Sequence, residues 1–144
     1  MTLRPAAVEA RLRKLRQVAS RLRRLRARGE QAFHADEDRQ WVVERGLQLG
    51  CEGILDAGNH VLSAAFGRPS ETYEAILAGL AAEAVISTEL RGELDGLGGF
   101  RNVLVHGYLD IDPVLVWEAL ARAPERFERF ATELPAWLSQ PTGG

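Results

Sequence analysis

Apolar residues recur near the start of the chain at Val8, Leu12, Leu15, Val18, Leu22 and Leu25, separated by threes and fours. That spacing lays one apolar stripe along a helix and predicts it over 6–28, with arginines covering the other faces. Gly29 is the expected terminator. After a loop holding His34 comes the acidic run Asp36, Glu37 and Asp38, which suits a helix N-terminus because carboxylates oppose the positive end of the helix dipole. This second helix carries Trp41, Val43, Leu47, Ile54, Val61 and Leu62 and extends towards Phe66, long for a globular domain. Glu52, Asp56, Asn59 and Ser63 follow at helical spacing as well, so a second face of it is wet or functional.

Gly67, Arg68 and Pro69 break the pattern, and Ser70 is the expected cap of a third helix with Glu71 and Glu74 near its start and Tyr73, Ile76, Leu77 and Leu80 on its apolar side. The chain turns around Ala84 to Ile86. Ser87 then caps a fourth helix bearing Leu90, Leu94, Leu97, Val103 and Leu104. Gly96, Gly98 and Gly99 weaken it, each by about 0.5–1 kcal/mol relative to alanine, and permit a bend or a close approach. Asp112 and Pro113 start a fifth helix with Val116, Trp117, Leu120, Phe127, Phe130 and Leu134, which Pro124 should kink. Trp41, Trp117, Phe127 and Phe130 are expected in the core. No stretch sustains period-2 alternation. The pattern therefore predicts an all-α, antiparallel bundle of about five helices in a single domain over 1–144. A basic helix spans about 6–28, a core about 36–134, and a frayed tail 135–144.

Length and cysteine usage narrow the class. A chain of 144 residues buries roughly two-thirds of its unfolded surface around one core, enough to fold without disulfides or metals. The single Cys51 has no partner in the chain, is expected to be inert packing, and suits a reducing cytoplasm. No apolar run approaches the roughly 20 residues of a membrane span, and the arginine-rich start lacks the apolar region of a secretory leader. Three dispersed histidines and one cysteine predict no metal site. The glycines near Gly98 precede no Lys-Ser or Lys-Thr pair, so no phosphate-binding loop and no cofactor is expected.

Net charge is −2, but it is distributed unevenly. Residues 1 to 28 hold ten of the 18 Lys and Arg and one acid, Glu9, so this segment carries +9; the other eight bases against 19 acids leave the remainder at −11. A basic element on an acidic body attracts a polyanion such as RNA, or docks on acidic helices of its own chain.

Polar groups interrupt the apolar fourth helix in the string Arg101-Asn102-Val103-Leu104-Val105-His106-Gly107-Tyr108. This R-x4-H-x-Y spacing, with Asn after the Arg and an apolar triplet before the His, resembles the motif of HEPN ribonuclease toxins of the HepT kind. The resemblance extends to Glu44-Arg45-Gly46-Leu47-Gln48, to Asp56 with His60, to Pro69 through Tyr73 and to Ile111-Asp112, and covers roughly Asp36 to Leu134. It implies a homodimeric, metal-independent endo- or exoribonuclease with catalytic Arg101 and His106. It also implies a nucleotidyltransferase antitoxin that transfers AMP to Tyr108.

The residue types fit that chemistry. A histidine with pKa near about 6.5 can take the proton of the RNA 2′-hydroxyl or give one to the leaving 5′-oxygen. A guanidinium presents a permanently charged fork of donors to the phosphate, and Asn102 can orient either partner through its amide. At roughly 100° per residue, positions 101 and 106 of an unbroken helix point about 140° apart. Either the helix ends or bends between them, with Gly107 assisting, or the phosphate is gripped between motifs of two subunits. His60 is expected to bond Asp56 on its own helix face, with support of the active site as the alternative. Two other readings compete: a non-catalytic helical module that binds a nucleotidyltransferase, and a structural bundle whose basic helix binds RNA nonspecifically.

Overall fold

The computed structural model describes residues 3–106 and 111–140 of the chain. Every regular element among them is helical: α1 (Pro5–Ala27), α2 (Glu30–His34), α3 (Glu37–Phe66), α4 (Tyr73–Ala82), α5 (Thr88–His106), α6 (Pro113–Leu120) and α7 (Ala123–Leu138). The all-helical expectation holds, with seven helices among the described residues in place of about five. The short α2 occupies the expected loop because Phe33 buries completely, against Trp117 at 5.5 Å between ring centres.

Most punctuation falls where the sequence places it. Asp36 accepts from the backbone N–H groups of Asp38 and Arg39 at 3.0 and 3.2 Å and so caps α3. Gly67 closes α3 in the left-handed region at φ 63°, and Arg68 N–H returns to Leu62 O at 3.0 Å. Ser87 Oγ accepts from Leu90 N–H at 3.0 Å, and Asp112 Oδ1 from Val114 N–H at 2.9 Å. The cap of α4 is Thr72, not Ser70. Ser70 N–H donates instead to Asn59 Oδ1 at 2.8 Å, tying the α3–α4 connection to α3.

Two proline readings are corrected. Pro124 does not kink one helix but lies in the first turn of a new one, where a missing N–H costs nothing. Pro135 does not begin a frayed tail: α7 continues through it to Leu138, and Trp137 packs on Phe66 at 5.7 Å. Proline at 135 takes away the donor for the carbonyl of Ala131, four residues earlier. Arg16 Nη2 of α1 supplies it, at 2.8 Å.

α1 runs antiparallel to both α3 and α7. Gly46 and Gly53 of α3 face Leu22 and Leu15 of α1, and farther along Arg4 N–H donates to His60 Nε2 at 3.3 Å. Arg26, Arg23 and Arg16 meet Glu125, Glu128 and the carbonyl of Ala131 in the opposite order along α7. α5 lies antiparallel to α7 through Arg129 with Glu93 and Glu133 with Ser87. One core of leucines, valines and isoleucines, with Phe33, Phe127 and Phe130 fully enclosed, joins these helices. Trp41 is not in that core: it is 73% exposed at the start of α3. Among the described residues no helix is long and apolar enough to cross a membrane.

Candidate active site

The buried leucines of α5 are Leu90, Leu94, Leu97 and Leu104, and position 101 falls between the last two in the same register. Arg101 thus occupies a place in the apolar stripe, which brings its guanidinium out beside α3 rather than into open solvent. A cation held so near the core needs an acid, since charge leaves water only at high cost without a partner. Glu52 provides it: its Oε1 accepts from Arg101 Nε at 3.3 Å and Nη2 at 3.0 Å. The Arg101 side chain is 24% exposed and that of Glu52 38%, so the pair is half-buried, and Glu52 also lines a cleft.

Under this pair lie Cys51 and Tyr73. Burial pushes the Cys51 thiol up to about 12, with the positive charge of Arg101 working in the opposite direction. Burial also holds the Tyr73 hydroxyl well above the usual phenol range, and that hydroxyl finds no hydrogen-bond partner among the described residues. Beyond Glu52 an open cavity of about 660 Å³ is lined by Asp56, Asn59 and His60 of α3, with Arg11 of α1 across from them. The wet face expected on α3 is therefore a wall of this cleft. His60 anchors the start of α1 through the Arg4 bond instead of pairing with Asp56.

Of the expected site residues, Arg101 is half-buried against Glu52 and Asn102 is exposed beside it on α5. α5 runs unbroken to His106, its last residue; the side chain of His106 and all of Tyr108 lie outside the described residues. Because α5 continues past position 105, it does not end between the two catalytic candidates. Glu52 was visible in the sequence only as one of several polar positions on α3. Nothing in the chain before folding links it to Arg101, 49 residues away.

Residues 14–134 match the profile of the family described as ribonuclease HepT-like. The chain belongs to that HepT-like family. A tRNA nuclease HepT from Aphanizomenon flos-aquae is 27% identical over 135 residues, covering 93% of this chain and 91% of that protein. The HepT-like fold recurs in a tri-AMPylated Shewanella oneidensis HEPN toxin solved in complex with its MNT antitoxin. That structure has 24% identity and a TM-score of 0.80, over 90% of this chain and 96% of the other. YutE, a cytosolic Bacillus subtilis protein of unknown function, superimposes with a TM-score of 0.82 at 22% identity, over all of this chain and 97% of its own.

Proposed function

We propose that this chain is the ribonuclease toxin of a toxin–antitoxin pair. In this reading it cuts RNA without a metal, using Arg101 and His106, and a nucleotidyltransferase partner silences it by AMPylation of Tyr108. The observation that carries the reading is Arg101 itself: a guanidinium set into the apolar stripe of α5 and fixed by Glu52, five positions before the histidine. The HepT-like relatives support the rest, one being a tRNA nuclease and another a toxin in complex with an antitoxin. Transfer RNA is the substrate to test first.

The reaction follows from charge and proton accounting. The 2′-oxygen attacks the adjacent phosphorus as its proton leaves, and the bond from phosphorus to the 5′-oxygen breaks as that oxygen gains a proton. His106 serves one of these two transfers. Arg101 holds the negative charge that gathers on the phosphate oxygens, and Asn102 orients the phosphate or the histidine. Positions 101 and 106 of the continuous α5 stand about 140° apart around its axis, which one chain cannot converge on one phosphate. We therefore place the grip between motifs of two chains in a homodimer, where a two-fold contact brings the same segment together from both sides. AMP on Tyr108 adds an anionic phosphate two residues from His106, where it competes with RNA for Arg101.

The purified protein is expected to cleave tRNA in excess EDTA. His106→Ala should abolish cleavage without lowering the melting temperature, and Arg101→Lys should cost at least about tenfold, since a point charge cannot reproduce the bidentate fork. Loss of activity with chelator contradicts the metal-free reading, and an active lysine variant reduces Arg101 to a generic charge.

A further inference from the structure

A second surface on the chain has the chemistry of a nucleic-acid platform. Trp41 projects from the start of α3 with 73% of its surface in solvent, and Val42 beside it is 57% exposed. A large exposed aromatic is informative because burial is its ordinary fate. Two cavities of about 300 Å³ each meet at this indole. One runs between α1 and α3 over an apolar floor that includes Leu22 and Leu49, rimmed by Lys14 and Arg21 of α1 and Arg45 of α3. The other continues from Trp41 and Arg45 to Leu104 of α5 and to Ile111. The two share the indole and the guanidinium, so together they form one path from the basic helix to the end of α5. Their linings carry three cations and one acid, Glu44. Lys14 and Arg21 make no ion pair with any described residue.

We propose that this path is a single-stranded RNA subsite, in which one base stacks on the indole of Trp41 while Lys14, Arg21 and Arg45 hold the phosphates on either side. It rests on the ribonuclease reading and extends it by assigning where the substrate lies away from the cut. Trp41 is eleven residues along α3 from Glu52, roughly 16 Å at 1.5 Å per residue, which places the stacked base a few nucleotides from the Arg101 grip. Sequence-tolerant stacking between flanking phosphate contacts is how proteins hold unpaired strands. A second copy of the chain suits the surface less well, since a two-fold contact sets the same three cations against each other.

The test uses the full chain carrying His106→Ala, so that RNA is not consumed, and titrates it with a fluorescein-labelled 20-mer of oligouridine and with a duplex of the same length. Trp41→Ala should weaken binding of the single strand roughly tenfold and Trp41→Phe much less, because phenylalanine keeps a stacking face. Lys14→Ala with Arg21→Ala should lower the slope of log affinity against log salt by about 0.7 for each contact. Quenching of tryptophan emission by oligouridine should disappear in Trp41→Phe. Single-strand affinity and quenching that ignore Trp41, in a protein whose parent cuts RNA, overturn the platform alone. If Trp41→Ala instead turns a dimer into a monomer by light scattering, the patch is a subunit interface and the inference fails. A parent chain that neither binds nor cuts RNA overturns the ribonuclease reading and the platform together.

Discussion

At the scale of single residues, the molecule sets three groups with unusual burdens around one point: Arg101 in an apolar register, Cys51 beneath it and Tyr73, whose hydroxyl has no hydrogen-bond partner among the described residues. The cysteine gives a direct reading of that environment. With its thiol pushed up to about 12 by burial, it holds almost no thiolate at pH 8, and the thiolate is the reactive form. Iodoacetamide at pH 8 should leave native Cys51 unmodified and label it promptly once the chain is unfolded in guanidinium. Labelling of the native protein at the unfolded rate contradicts the packing described. Sequence reasoning saw Cys51 as inert because it sits among apolar positions at helical spacing. It did not see Glu52 as the partner of Arg101, for pairing across 49 residues depends on how α3 and α5 cross. Trp41 escaped for the opposite reason. Its spacing fits the apolar stripe, but it lies at the very start of α3, in the helix's second turn, where the indole stays in solvent.

At the scale of the helices, α3 is the spine on which the others are laid, and its glycines set how close they come. A Cβ at Gly50 meets Phe127 Cε2 at 2.1 Å, and that ring is fully buried with nowhere to turn. Gly50→Ala should therefore destabilise the fold by about 1–3 kcal/mol or prevent it. Gly96 on α5 faces open space. Gly96→Ala should raise stability by about 0.5–1 kcal/mol, the helix-propensity difference alone. Thermal unfolding of both variants checks the pair, and equal effects contradict the close α3–α7 contact. The same contrast bounds what the sequence made legible. Caps at Asp36, Ser87 and Asp112 are local side-chain geometry and could be read directly. The break between α6 and α7 and the passage of α7 through Pro135 could not, because each rests on distant arginines. Arg26 donates to the carbonyl of Ala121 at the α6–α7 junction at 3.0 Å, and Arg16 to the carbonyl that Pro135 leaves without a donor.

At the scale of the whole molecule, the charge asymmetry serves two ends. Arg16, Arg23 and Arg26 of the basic α1 are committed to α7, whereas Arg13, Lys14, Arg21, Arg24 and Arg28 make no ion pair with another described residue. The committed part carries a pH signature. The hydrogen bond from Arg26 holds the Glu125 carboxyl below its usual range, so this contact stabilises the fold above the unfolded glutamate value near about 4.3 and is lost as pH falls through the lower folded value. The melting-temperature gap between wild type and Arg26→Ala should be widest near neutrality and narrow below about pH 4, leaving the part due to the Ala121 carbonyl. A gap independent of pH contradicts the ion-pair account. In the proposed function, the uncommitted cations and the exposed indole are the groups that meet RNA. We propose that Arg101 of one chain and His106 of another act on one phosphate. This is tested most directly by co-expressing Arg101→Ala and His106→Ala chains and assaying tRNA cleavage in EDTA. Each variant alone should be inactive and the mixture should recover about a quarter of wild-type activity, because half the dimers are mixed and each has one intact composite site. A mixture as inactive as its components contradicts the shared site, and cleavage by either variant alone contradicts the catalytic pair itself.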